Sequence, residues 1–357
     1  MALQGGAGPI AEIYWKRGGK MMRFKTILVI LLFCAIPFGC SHQVHLLKSG
    51  IENWNKWRDE NKLIRPDLRG ADLRGARLEG AHLDNANLDS ANLRGAHLEG
   101  AHLEKSLLRG CRIDNTHLEG SHLRGADLRE AHLEGAHLDS SNLQEANLEG
   151  AVLRGAYFCG ADLDSADLRG ANLDSADLRG AYLWGANLDS ADLQGAFLER
   201  ATLMFADIRG ANLDHADLRG AYLLGAYLDS ADLRGACLWE SHLDSAYLSG
   251  ANLSNANLRS AYLRGADLTN ANLRKANLDG ANLRGAILDG ADLSQVRSYF
   301  KAKLDPDILS EIKGNWPEKL ATYWDYGKKN WVVDDTLLQQ IKKPDWFGWS
   351  EEKGQGK

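Results

Sequence analysis

The sequence of 357 residues predicts an all-β solenoid, in which the chain winds in successive coils around a filled core. Three observations support this prediction. A large apolar residue recurs at every fifth position from Leu68 to Leu293, 46 times without an insertion. Alanine lies two positions before it in 39 of these units. Glycine, serine or asparagine usually ends the unit, so that typical units read ADLRG, ANLDS or AHLEG.

A period of five residues excludes the two regular elements. An α-helix would rotate successive leucines by about 140° and distribute them around its whole surface. A straight strand would turn them to opposite faces in alternate units. A short extended segment followed by a corner places every leucine on one side. We therefore expect the alanine and leucine of each unit to point inward, with a turn at the unit's last residue.

The unit resembles the A(D/N)LXX motif of the pentapeptide-repeat family, and the resemblance covers residues 66–296. It implies a right-handed quadrilateral β-helix with four units in each coil, so that residue i stacks on residue i+20. The 46 units would then form about 11.5 coils. At a strand spacing of about 4.8 Å, the rod would be about 55 Å long.

Short helical caps are expected at both ends, because an open coil exposes unpaired backbone groups. Before the repeats, Val44, Leu47, Ile51 and Trp54 recur at helical spacing and predict one capping helix within residues 41–65.

After the repeats, residues 297–357 are expected to begin with a helix that has Asp305 as its N-cap and Pro306 at its first position. A tail rich in tryptophan follows. Its tryptophans either cover the C-terminal end of the rod or form a separate contact surface: Trp316, Trp324, Trp331, Trp346 and Trp349.

Residues 1–40 are interpreted as an export leader. A basic stretch precedes an apolar run at residues 26–39. This run is too short to span a bilayer and has the length of a signal-peptide core. It resembles a bacterial lipoprotein signal, which implies lipid attachment at Cys40 and a location on the periplasmic side of an envelope membrane. A short uncleaved anchor or a simple cleaved signal is the alternative. Residues 1–20 lie upstream if translation starts at Met21, and residues 1–21 if it starts at Met22.

Charge is divided unevenly along the chain. Residues 66–296 contain 34 acidic and 21 basic residues, whereas the whole chain has a net charge of −6. An acidic rod is not expected to bind nucleic acid. The resemblance does include quinolone-protecting members, rods that mimic duplex DNA and bind DNA gyrase. A cytosolic topoisomerase modulator of that kind is our first alternative, although export and uninterrupted repeats disfavour it.

An enzyme is not expected, because leucine and alanine fill the predicted interior and no nucleophile lies near a general base in the pattern. No cofactor is predicted. Outward slots that elsewhere hold Asp, Asn or Arg become apolar in the middle of the rod. We call this set the aromatic patch, and it predicts a surface for a protein partner or for self-association: Tyr182, Trp184, Met204, Phe205, Tyr222, Leu224, Tyr227 and Tyr247.

Histidines that recur one predicted coil apart form a second feature. His97, His117 and His137 should form one column, with Glu99 and Glu119 beside it. Such a set could bind Zn²⁺ or Cu²⁺, or titrate near neutral pH, although a solvated face explains it more simply. A metal- or pH-responsive envelope protein is therefore our second alternative. The first choice is a non-catalytic, lipid-anchored scaffold or protein-binding rod.

Overall fold

The computed structural model describes residues 13–17, 20–24, 40–315, 317–325, 328 and 330–342. Near the N-terminus, strand β1 (Ile13–Arg17) pairs antiparallel with strand β2 (Lys20–Phe24). The apolar run at residues 26–39, on which the predicted leader depends, lies outside the described residues. Within the described ranges, no helix has both the length and the apolar character needed to cross a bilayer.

The repeats form the predicted right-handed quadrilateral β-helix. Each unit is bridged in parallel to the fourth unit after it, as Asp67 is to Asn87 and Asn87 to Leu107. The Leu68 N–H donates to the Asn87 carbonyl at 2.7 Å, and the Asn87 N–H donates to the Pro66 carbonyl at 2.8 Å. Four units therefore complete one coil, which confirms the expected stacking.

A β-turn forms each corner. In the first coil, the Ala71 N–H donates to the Leu68 carbonyl at 3.1 Å, and Gly70 has a φ of 61°. A positive φ at the third turn residue alone is the mark of a type II turn. Residues with side chains lose about 1–2 kcal/mol in this conformation, which explains why glycine is the commonest final residue of the unit. Serine, asparagine and a few larger residues adopt it elsewhere in the rod.

The core consists of the inward alanine and leucine of each unit, as predicted. Ala176 and Leu178 are fully buried, and so is Phe158, which replaces leucine in the same column one coil earlier. A buried leucine contributes about 1.5–3 kcal/mol relative to an exposed one. The stacked leucines are therefore the main source of stability along the rod.

Two helices, rather than the single predicted one, precede the repeats. Helix α1 spans Cys40–Lys48 and helix α2 spans Ile51–Glu60. Gly50 separates them with a φ of 133°. Helical residues need a φ near −63°, so the helix cannot continue through this glycine.

Helix α2 covers the exposed edge of the first coil. The indole N–H of Trp54 donates to the His82 carbonyl at 2.9 Å. The Asn55 side chain donates to the Gly80 carbonyl at 3.0 Å and accepts the His82 N–H at 2.9 Å. Arg58, which is buried, donates to the Asp84 carboxylate at 3.1 Å. These bonds satisfy edge groups that would otherwise have no strand to pair with.

The winding continues beyond residue 296, the predicted end of the repeats. Asn277 is bridged to Ser298 and Asn282 to Lys303, each one position beyond the partner that the regular spacing would give. One inserted residue thus shifts the register, after which Tyr299 and Ala302 occupy buried positions. The final, irregular units were not recognisable because they lack the leucine and glycine of the motif.

The C-terminal cap begins with helix α3 (Pro306–Asn315), where the sequence predicted it. The carboxylate of Asp305 accepts the N–H of Gly285, which links this helix to the last regular coil at 2.9 Å. Elements that were not predicted then follow: helix α4 (Pro317–Ala321), the antiparallel strands β3 (Thr322–Asp325) and β4 (Asn330–Val333), and helix α5 (Asp335–Ile341).

Candidate functional site

Outward side chains form columns along the rod. Equivalent positions in consecutive coils lie on the same face. Where both are aromatic, the rings usually stack, with centroids 4.7–5.0 Å apart. His82 and His102 instead meet edge to face at 5.2 Å. The stacking distance is close to the spacing between neighbouring strands. A residue type repeated in every coil therefore becomes a continuous stripe of one chemistry.

The aromatic patch lies on two adjacent faces and on the corner between them. Tyr182 and Tyr222 belong to one face, whereas Tyr227 and Tyr247 belong to the next. The exposed fraction is 53% for Tyr182, and the rings of Tyr227 and Tyr247 stack at 5.0 Å. Trp184 belongs to the corner column, and half of its surface is exposed. Met204 is half-buried, and the other members are exposed.

Three further rings extend the patch. The ring of Tyr222 stacks on His242 at 4.9 Å, and His242 stacks on Tyr262 at 4.7 Å. On the opposite corner of the same face, the exposed Trp239 has the guanidinium of Arg259 6.0 Å from its ring. Sequence analysis did not include these residues. Continuing the column of Tyr222 through the next two coils would have found His242 and Tyr262.

Phe205 projects from a corner of the patch. Its φ is 58°, so this phenylalanine adopts the left-handed conformation that usually favours glycine. Its ring lies over Gly225, one coil later, where an added Cβ would come within 2.7 Å of the ring. The glycine therefore leaves room for the phenylalanine ring at the surface.

The histidine columns form as predicted. His97 stacks on His117 at 4.8 Å, and His117 stacks on His137 at 5.0 Å. The column then continues into Tyr157, whose ring lies 4.7 Å from that of His137. A second column on the next face contains His82, His102 and His122.

Carboxylates accompany the first column. The Nδ1 atom of His97 lies 3.1 Å from a carboxylate oxygen of Glu99, and Nδ1 of His117 lies 3.2 Å from Glu119. Burial of the Glu99 carboxyl group opposes its ionisation. The Glu99 backbone N–H and the two histidines outweigh burial, so the pKa of Glu99 lies below its usual range.

Most arginines of the solenoid form ion pairs with an aspartate or a glutamate. An aspartate often precedes an arginine by two residues and accepts two hydrogen bonds from it, as Asp127 does from Arg129 at 2.8 and 2.7 Å. The hydrogen bond from Arg74 lowers the pKa of Asp72 to about 2. The acidic residues of these pairs therefore do not form rows of uncompensated negative charge.

For Cys40 and the tail tryptophans, the structure gives at most the position of the backbone. Cys40 is the first residue of helix α1. Trp324 and Trp331 face each other in the register of β3 and β4. Trp316, Trp346 and Trp349 lie outside the described residues.

Two open grooves lie beside the N-terminal helices. One is lined by residues of α1 and the first coil, including Leu47, Asp72 and Arg77. The other lies between Arg58 and the column of His82 and His102. Neither lining contains a serine, threonine, cysteine or tyrosine that a base could activate as a nucleophile.

Three solved structures of repeat proteins are similar to this chain. A trypsin-treated variant of QnrB1, a plasmid-mediated fluoroquinolone resistance protein, is 20% identical, with 51% of this chain and 95% of that chain covered and a TM-score of 0.45. HetL, involved in heterocyst differentiation regulation in the cyanobacterium Nostoc, is 36% identical, with 66% and 91% covered and a TM-score of 0.30. A pentapeptide repeat protein of the Arabidopsis thaliana thylakoid lumen is 30% identical, with 39% and 88% covered and a TM-score of 0.15. No curated protein matches the chain.

The family profile described as pentapeptide repeats matches most of the solenoid. Eight copies align with residues 67–104, 106–145, 141–180, 166–204, 181–220, 206–241, 226–265 and 261–297. Together they cover more than half of the chain. With its four-unit coils and its alanine–leucine core, the chain belongs to the pentapeptide-repeat family.

Proposed function

We propose that the chain is a non-catalytic protein-binding rod, held at an envelope membrane by a lipid on Cys40, whose partner binds the aromatic patch. The observation that supports the binding surface is the cluster of exposed rings on two adjacent faces, including Tyr182, Trp184 and Tyr227. Aromatic residues are enriched in the cores of protein interfaces, and large contiguous apolar patches are uncommon on isolated proteins.

The fold itself does not require these rings. In the column of Tyr182, the two preceding coils hold Asn142 and Asp162 in the same backbone conformation. The core beneath is equally buried in all three coils, as Leu143, Leu163 and Leu183 show. Polar residues would therefore serve the solenoid as well, which favours a role in binding.

The distribution of charge favours this function over DNA mimicry. A DNA mimic needs rows of unpaired negative groups at phosphate-like spacing. Here arginines neutralise aspartates on different faces, as in the pairs Asp167–Arg169 and Asp177–Arg179. We therefore keep the topoisomerase modulator as the alternative to be assayed if the chain proves to be cytosolic.

Charged substitutions in the patch test the binding surface. We expect Trp184→Asp and Tyr222→Asp to weaken partner binding or self-association at least tenfold each, because a carboxylate at the centre of an interface must lose its water. Sedimentation velocity of the purified protein measures self-association. Quantitative crosslinking followed by affinity capture, with wild type and variants in parallel, measures a partner.

Phe197→Asp is the matched control. Phe197 is equally exposed but is not one of the eight patch residues. It lies on the face that precedes that of Tyr182, between Asp177 and Asp217 in its column. The Phe197→Asp variant should bind the partner, or self-associate, as strongly as the wild type. Equal binding by the wild type and both patch variants would remove the patch from this proposal.

The lipid anchor is tested separately with Cys40→Ala. We expect the wild type to incorporate a fatty-acid label and to sediment with membranes, since two or more acyl chains anchor a protein stably. The alanine variant should lose both properties, whereas Cys34→Ala, within the apolar run, should keep them. Label that persists in Cys40→Ala would contradict the anchor, and a soluble, unlabelled wild type would call for a gyrase inhibition assay.

A further inference from the structure

The histidine–carboxylate column contains two overlapping sets of metal-type ligands. Glu79, His97 and Glu99 form one set, and Glu99, His117 and Glu119 form the next. Within each set, the ligand atoms lie within 4.8 Å of one another. The sets repeat because each complete coil returns the chain to the same face.

The distance between His117 and Glu119 in the second set suits a small divalent cation. Nδ1 of His117 lies 3.2 Å from a carboxylate oxygen of Glu119. Two ligands on a tetrahedral zinc ion, with bonds of about 2.0 Å, lie about 3.3 Å apart. Imidazole nitrogen and carboxylate oxygen are both ordinary zinc ligands.

Within the part of the chain that the structure describes, the carboxylates of the second set have no lysine or arginine partner. Among the described residues, Glu99 and Glu119 pair only with His97, His117 and His137. A histidine carries a positive charge only when it is protonated, whereas arginine and lysine are always charged near neutral pH. Glu79, in contrast, already pairs with Arg77 at 3.3 Å. The second set therefore has the stronger requirement for a cation.

Two oxygen atoms support this choice. The Oε2 atoms of Glu99 and Glu119 are shielded from solvent and have no hydrogen-bond partner within the described part of the chain. The Oε2 atoms of Glu104 and Glu134 share this property, but among the described residues neither glutamate belongs to a set of three mutually close ligands. The Glu99 backbone N–H that lowers the pKa of its carboxyl group forms no hydrogen bond to Oε2. Buried polar oxygens are nearly always satisfied in folded proteins, so those of Glu99 and Glu119 point to a missing cationic partner.

We propose that Glu99, His117 and Glu119 form a binding site for one Zn²⁺ ion on the surface of the solenoid. Three protein ligands leave a fourth position for water. Because both sets share Glu99, this column should bind a single ion. The site lies apart from the aromatic patch and does not depend on the proposed partner.

Titration calorimetry of the tag-free full chain with zinc chloride tests the site. The wild type should bind one ion in this column, and His117→Asn should weaken that binding at least tenfold, since loss of even an outer-shell partner costs 10- to 100-fold. Asparagine occupies the same column at Asn257 and Asn277, so the substitution suits the fold. Glu119→Gln, which keeps the side-chain shape, should have the same effect, and circular dichroism confirms folding of both.

His132→Asn is the matched control. His132 also lies near a glutamate, 3.7 Å from Glu134, but the carboxylate of Asp114 in the preceding coil is 2.9 Å from Arg94. The His132→Asn variant should bind zinc with the affinity of the wild type. Absence of zinc binding by the wild type, or equal affinities in the wild type, His117→Asn and Glu119→Gln, would overturn the site. An equal loss in His132→Asn would show non-specific binding to surface histidines and would overturn it as well.

Discussion

Replacing Trp54 with alanine is expected to lower the free energy of unfolding by about 3–5 kcal/mol, the usual cost of removing a large buried aromatic side chain. Trp54 is fully buried between helix α2 and the first coil, with its ring 5.2 Å from that of Trp57. The variant also leaves the His82 carbonyl without the indole N–H. Urea denaturation followed by circular dichroism measures the change.

Trp54→Phe separates packing from hydrogen bonding. It keeps most of the buried ring but cannot donate to His82. Because the His82 carbonyl still accepts from Nε of Arg58 at 3.2 Å, the cost should be about 0.5–1.5 kcal/mol, the net contribution of one hydrogen bond. A Trp54→Ala variant as stable as the wild type would mean that α2 does not cap the coil.

Leu178→Ala is expected to have a comparable effect in the middle of the rod. Leu178 is fully buried between Phe158 and Leu198, its neighbours in the inward column. A buried leucine-to-alanine change costs about 2–5 kcal/mol, because the surrounding side chains only partly fill the cavity. Each coil contacts only its two neighbours, so one weakened coil should let the two halves unfold separately. A broadened or two-step urea transition would report this.

Leu288→Ala provides the control. Leu288 occupies an equivalent position near the end of the solenoid and is only half-buried. Its removal should cost less than half as much and should leave a single transition. If Leu178→Ala and Leu288→Ala lower the free energy of unfolding equally, the stability of a coil would not depend on packing against its neighbours.

The solenoid could be predicted from the sequence because every unit repeats the same short pattern of inward, outward and turn residues. Alanine and leucine alternate with one outward residue, and a residue that tolerates a positive φ then turns the chain. The period of five by itself places Leu178 inside. The number of units in each coil came only from the family resemblance, since the residues of one unit do not specify the angle at its corner.

The ends were less predictable, because each occurs once. The apolar spacing around Trp54 predicted helix, but the break at Gly50 depends on a φ of 133° that helical spacing does not reveal. Strands β3 and β4 lack the alternating pattern of a hairpin. Helix α5 did have a sequence signal, since Asp334 accepts the Leu337 N–H as an N-cap at 2.9 Å.

The candidate sites followed from counting four units to a coil. Columns calculated from the sequence placed Tyr222 two coils after Tyr182 on one face and His97 beside His117, and the structure has both arrangements. The same count could not show which carboxylates have arginine partners. That distinction between Glu79 and Glu119 depends on side-chain direction, and the choice of a metal site rests on it.

The four-sided coil also determines how the two ends of the rod face each other. Adding or removing four units lengthens or shortens the rod by one strand spacing, about 4.8 Å, and leaves the orientation of the C-terminal cap unchanged. Adding a single unit would instead turn that cap by about a quarter of a revolution relative to helices α1 and α2. Gene duplications that add whole coils can therefore adjust the reach of the protein without changing the direction in which its tail points. The single inserted residue before Ser298 has a local effect, because no further complete coil follows it.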